Sequence, residues 1–168
     1  VDARLENVGA VSKDGRFTIA NWRMHTTGDE KALTFAGPMS INRSQANLTW
    51  TESLRETSAP PSRFVIDGRF DAADLIRFGF GVAEYANGAI GAQLTGTGRG
   101  LDVSTANVRL DLKDAEIVLP KYIWSKRPGR AATASFDVRE APDGGLVLTN
   151  LDARGPGVTA TGGLTVSK

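Results

Sequence analysis

The sequence predicts a mainly β protein: an antiparallel meander of about ten short strands with one short helix at about 71–78. Three observations carry that expectation. Apolar and polar residues alternate with period two along most of the chain, as they do on a strand with one dry and one wet face. Turn signals punctuate the alternation at short intervals, among them Asp14-Gly15, Asn87-Gly88, Arg99-Gly100, Asp143-Gly144-Gly145 and Gly155-Pro156-Gly157. Only Asp71–Phe78 has helical character, and it is too short to stand without docking on a sheet.

In chain order, Ala3–Val11 reads as a strand, and Lys13-Asp14-Gly15 as the hairpin turn into Arg16–His25. Thr26–Lys31 is a polar loop. Leu33 and Phe35 share a face on a short strand that Gly37-Pro38 breaks, and Ala46, Leu48 and Trp50 share a face on the next. Thr57–Ser62 carries two prolines that cannot join a ladder, and divides the chain into candidate sub-units 1–57 and 63–168. After it, Phe64, Ile66, Gly68 and Phe70 face one way, and Arg63, Val65, Asp67 and Arg69 the other. Asp71 can cap the helix, Leu75 and Phe78 form its apolar edge, and Gly79 ends it.

Asn87-Gly88 turns the chain into Ala89–Gly98, and Arg99-Gly100 turns it into Leu101–Lys113. Val108, Leu110 and Leu112 alternate there with Arg109, Asp111 and Lys113. Pro120 makes Glu116–Leu119 an edge or broken strand. Trp124–Gly129 reads as a turn, after which Arg130–Val138 resumes the alternation with Phe136 and Val138 on the dry side. Leu146–Ala153 and Val158–Val166 complete the meander. Arg16-Phe-Thr-Ile19 and Arg63-Phe-Val-Ile66 are alike, each followed by a change of register, which suggests a repeated β unit.

Such a sheet would be roughly 45–50 Å wide at about 4.8 Å per strand. One short helix cannot cover its apolar face. The sheet therefore closes as a sandwich or barrel, or curls into an open trough with an apolar interior.

Leu110–Ile117, Trp124-Ser-Lys126 ahead of Gly129, and Ala132…Phe136-Asp-Val138 resemble the AsmA-like family of bacterial envelope proteins, in particular the repeat region of its long members. Leu148–Leu164, Leu48-Thr-Trp50 and Arg63–Leu75 are similar to the same pattern, which spans about two-thirds of the chain from its carboxy end. The resemblance implies the open, taco-like groove. It also implies a non-enzymatic role: sheltering phospholipid acyl chains between inner and outer membranes in the periplasm, within a longer protein anchored in the inner membrane outside this segment. Val1 opens within a strand-like pattern, as expected of a length of something larger. On this reading the groove is lined by Phe64, Ile66, Phe70, Val108, Leu110, Leu112, Phe136, Val138, Val158 and Leu164. Partners are acyl chains, neighbouring β-repeats and, at the unpaired edges, other copies of the chain.

Composition narrows the alternatives. Twenty basic side chains balance 19 acidic ones, and nucleic-acid binding needs a basic excess or stripe. Cysteine is absent, which suits an oxidising compartment without demanding one. No apolar run approaches the length of a membrane-spanning helix.

No constellation carries chemistry. His25 is the sole histidine and reads as a surface residue at a strand end, so no metal and no Ser–His–Asp triad is expected. Glu52, Glu56, Asp102, Asp111 and Asp114 read as solvated acids, not a glycosidic pair. Gly96-Thr-Gly98-Arg-Gly100 lacks the strand–glycines–helix context of a phosphate loop, and no cofactor is expected. Trp124, Lys126, Arg127 and Arg130, with Lys121 and Tyr122, form a candidate lipid-headgroup or interface cluster, against the alternative of a solvated turn with a pinned tryptophan. Trp22, Trp50 and Trp124 are the residues a sugar-stacking platform would use, and a carbohydrate- or protein-binding β-sandwich is the second reading.

Overall fold

Twelve strands account for the described part of the chain, and ten of them form one antiparallel meander, β1 to β7 and then β10 to β12. They are β1 Asp2–Val11, β2 Thr18–Gly28, β3 Ala32–Ile41, β4 Ser44–Ser53, β5 Ser62–Asp71, β6 Ala86–Arg99, β7 Asp102–Asp111, β8 Ala115–Leu119, β9 Trp124–Lys126, β10 Thr133–Glu140, β11 Leu146–Gly155 and β12 Val158–Val166. The structure, a computed structural model, describes residues 1–12, 15, 17–55, 60–72, 74, 85–100, 102–119, 124–141 and 145–166. Among the described residues β1 pairs only with β2 and β12 only with β11, so the sheet stays open. β8 leaves the main path, pairing with the start of β6 and with β9.

The alternation does what its period demands. Directly paired residues share a face, and the ladders line apolar residues up across the sheet. One transverse row runs Ala3, Thr26, Phe35, Trp50, Phe64, Gly96, Ala106, Val138, Leu148, Leu164. Next to it run Leu48, Ile66, Leu94, Val108 and Phe136. Val108 pairs with Phe136, so the two share a face, as the alternation predicted. Two clusters form on this face, one around Trp22, Met39, Leu48, Phe64 and Phe70, the other around Val108, Phe136 and Leu148. Each such side chain withdrawn from water contributes roughly 1.5–3 kcal/mol. The β4–β5 ladder runs unbroken from Gln45–Arg69 to Glu52–Ser62, so the chain on either side of the prolines shares one sheet.

Four local expectations are corrected. Gly37-Pro38 does not break its strand: β3 continues to Ile41. The β2–β3 ladder is interrupted between Ala20–Ser40 and His25–Ala36, and Pro38 sits opposite that gap, where a missing N–H costs nothing. Gly37 has φ 149° there, and a Cβ would lie 1.9 Å from the Arg23 carbonyl oxygen, so only glycine fits. Asn87-Gly88 is not a hairpin turn but part of β6; Gly88, at φ 86°, lies where β6 changes partner from β8 to β5. Trp124-Ser-Lys126 is a short strand against β8, and the turn begins after it. Lastly, β2 shifts register after Ile19, but the β5 ladders are regular on both sides, so the two similar segments are not equivalent units.

Of the expected helix at 71–78, Ala72 and Asp74 are helical and Asp71 closes β5; Leu75, Phe78 and Gly79 lie outside the described residues. So do Lys13, Asp14, Glu56, Leu101, Pro120, Lys121, Tyr122, Asp143 and Gly144. Ala72 is 1% exposed within the first apolar cluster, and Asp74 accepts a 2.6 Å hydrogen bond from the Ser44 hydroxyl in the β3–β4 hairpin.

Candidate functional site

Two surfaces compete for the role, one on each face of the sheet. The apolar face gathers every residue expected to line a groove. Phe64, Phe70, Val108 and Phe136 are buried, and Ile66, Leu110, Leu112 and Val138 are half-buried against them. Val158 packs beside Gly155 and Trp124 at the far end. The face also continues onto both edge strands. Leu5, opposite Met24 on β1, is 47% exposed, and Leu164, opposite Leu148 on β12, is 57% exposed. Each would be covered by one further strand.

The expected headgroup cluster does not hold together. Lys126 is 2% exposed, and its ammonium donates to the backbone carbonyls of Ala115 at 2.7 Å, Lys113 at 3.1 Å and Arg127 at 3.2 Å. All its donors are spent inside the fold, so it offers nothing to a headgroup. Trp124 donates its indole N–H to the Pro156 carbonyl at 2.9 Å and rests on Gly155. Its role is to pin the β11–β12 turn. Of the described members of the cluster, Arg127 and Arg130 are exposed.

The tryptophans do not converge into a platform. Trp22 is buried in the core. Trp50 stacks at a tilt on Phe35, ring centres 5.5 Å apart, and donates to Glu52 at 3.1 Å. Glu52 also takes a 2.6 Å hydrogen bond from Ser62, which is fully buried and accepts one from the Gly100 N–H at 2.8 Å. This chain of contacts latches the end of β4 and the start of β5 to Gly100, just past the end of β6. His25, on β2 next to the edge strand, lies 2.9 Å from Asp2 on β1, whose carboxyl it holds below the ordinary range.

The opposite face carries the feature the sequence did not disclose. A shallow cavity of about 520 Å³ opens over β4, β5, β6, β7, β10 and β11. Its floor is two transverse rows out of phase with the apolar ones. One runs Thr51, Arg63, Thr97, Thr105, Arg139 and continues past the cavity to Thr34; the other runs Thr49, Val65, Thr95, Asn107, Asp137, Thr149. Thr34 and Thr51 hydroxyls meet at 3.2 Å, and Thr97 and Thr105 at 3.0 Å. Asp137 accepts from the Asn107 side-chain amide at 2.9 Å and from that of Asn150 at 2.7 Å, and these bonds, led by Asn107, hold its carboxyl below the usual range. Arg63 and Arg139 form no ion pair with a described residue. Period two had marked these side chains as wet, but only the register brings them together. No protein-family model, no curated protein and no solved structure matches the chain.

Proposed function

We propose that the chain is a length of a periplasmic β-groove that shelters phospholipid acyl chains on their way between inner and outer membranes, without catalysing a reaction. The observation that carries this reading is the apolar face reaching both open edges, with Leu5 and Leu164 half exposed where a next strand would cover them. A closed sandwich would have no reason to leave its apolar rows open at both ends. The similarity of Leu110–Ile117 and Leu148–Leu164 to AsmA-like repeats points the same way. The neighbours at β1 and β12 would then be further β-repeats of a longer protein.

The test is solvent extraction of the purified chain followed by mass spectrometry. Phospholipid is expected, and Leu110→Asp should lower its yield while the urea midpoint holds, because a half-buried position on an open face tolerates a charge. Lipid-free protein, or unfolding by Leu110→Asp, points instead to a closed core. The edges give a second readout. Thr159, Thr161 and Thr165 alternate with apolar and glycine positions on β12, which carries no charge. Copies should therefore pair edge to edge at high concentration, and Thr161→Lys should keep them monomeric. A chain monomeric at every concentration contradicts the reading.

A further inference from the structure

The cavity on the polar face has a chemistry of its own, and the apolar groove reading makes no use of it. Arg63 and Arg139 stand in one transverse row, separated by Thr97 and Thr105. At about 4.8 Å per strand their backbones lie roughly 14 Å apart along the sheet. Both guanidinium groups are exposed and available for bidentate contact with an acid group. Between them the floor offers threonine hydroxyls, which donate and accept, and beside Arg139 on β10 stands the Asp137 carboxylate, which two amides fix as an acceptor. Val65, 40% exposed, adds an apolar patch beside Arg63 on β5.

From this arrangement we infer that the polar face binds an acidic glycan, an extended sugar chain whose spaced carboxylates engage Arg63 and Arg139 while its hydroxyls meet the threonines and Asp137. The floor decides among polyanions. Among the described lining residues the one aromatic is Phe64, which belongs to an apolar row, so the bases of a nucleic acid strand find nothing to stack on. A sugar chain brings hydroxyls for the threonines and Asp137 to bond. Its C–H faces suit Val65 and the threonine methyls. The site lies on the face opposite the proposed lipid surface and does not depend on it.

Hexagalacturonate is the probe, with isothermal titration on the whole chain at low salt. Binding is expected, with maltohexaose, its neutral counterpart, binding at least about tenfold more weakly. The double variant Arg63→Gln/Arg139→Gln should lose about tenfold or more in affinity for hexagalacturonate, with an unchanged circular dichroism spectrum. Arg109→Gln removes a cation from the same face outside the cavity and should bind as the wild type does. Four results would overturn the proposal: no binding of hexagalacturonate, equal binding of maltohexaose, an equal loss in Arg109→Gln, or equal binding of hexaglutamate, which would indicate a protein partner.

Discussion

Replacing Lys126 by methionine tests how the β8–β9 flap is held to the sheet. Methionine keeps most of the aliphatic stem and removes the ammonium with its bonds to the carbonyls of Ala115, Lys113 and Arg127. A hydrogen bond to a charged group is worth about 1.5–3 kcal/mol, and each buried carbonyl left without a donor costs about 1–3 kcal/mol. Methionine avoids the several kcal/mol that burying an ammonium costs, which offsets much of that sum. The balance is a loss of about 3 kcal/mol. For a domain of this size that is roughly 6–12 °C in the melting midpoint. The assay is equilibrium urea unfolding, with the slope expected to stay constant and the midpoint to fall. Native-state hydrogen exchange should place the damage locally, with faster exchange in Ala115–Leu119 than in β3–β5. Arginine should rescue nothing, because a planar guanidinium does not match three carbonyls gathered round a point. A loss below about 1 kcal/mol would refute the view of Lys126 as the staple of the flap.

Thr26→Val should stabilise the protein by about 1 kcal/mol in urea unfolding, because the Thr26 hydroxyl is buried with no hydrogen-bond partner among the described residues and valine has its shape. Asn21→Ala should cost about 1–2 kcal/mol and Asn21→Gly markedly less, because Asn21 holds φ 53° at the β2 bulge; equal losses would mean that the side chain, not the backbone, matters there. Acid should weaken the fold through its surface carboxylates. Asp2, Asp29, Asp114, Asp137 and Asp152 all have folded values depressed, chiefly by hydrogen bonds from His25, the Lys31 N–H, Arg69, Asn107 and Arg154 respectively. A depressed carboxylate stabilises above its unfolded value, about 3.9, and loses that contribution as pH falls through the folded one. The urea midpoint should thus be flat from pH 7 to about 5 and fall below about 4; a midpoint that rises on acidification contradicts those contacts.

The strands and their dry faces were legible because period two is a property of the backbone itself, and Leu48, Phe64, Ile66, Phe70, Val108 and Phe136 lie on the face where the alternation put them. The bulges were not read, yet they left a trace. Leu5-Glu-Asn7-Val8, Ile19-Ala-Asn21-Trp22 and Leu148-Thr-Asn150-Leu151 each space two apolar residues three apart, with asparagine before the second. All three asparagines have φ between 53° and 56°, and all three lie where the ladder shifts by one. One extra residue in left-handed geometry returns the next apolar side chain to the dry face. Asn47 and Asn107 lack the apolar residue two positions earlier and sit in regular ladders. Lys126 was beyond reach for a different reason. A lysine in a Pro-Gly turn reads as solvated, and its three acceptors come from backbone at 113, 115 and 127 that only the folded flap assembles.

The division of the sheet into two chemistries also makes the two functional proposals separable. Leu110 pairs with Ala92 and Ala134 in the apolar rows, whereas Arg63 and Arg139 lie on the other side of the same strands. A one-residue slip in any ladder would exchange the two sets, so the bulges that keep the faces true serve both surfaces at once. With the faces kept, changes on one should not reach the other. Leu110→Asp should then deplete lipid without altering affinity for hexagalacturonate, and Arg63→Gln/Arg139→Gln should do the reverse, with the combined variant showing both losses added together. Coupling between them would mean that the ligands of the two faces meet, and that the sheet is not the barrier between them that its register makes it.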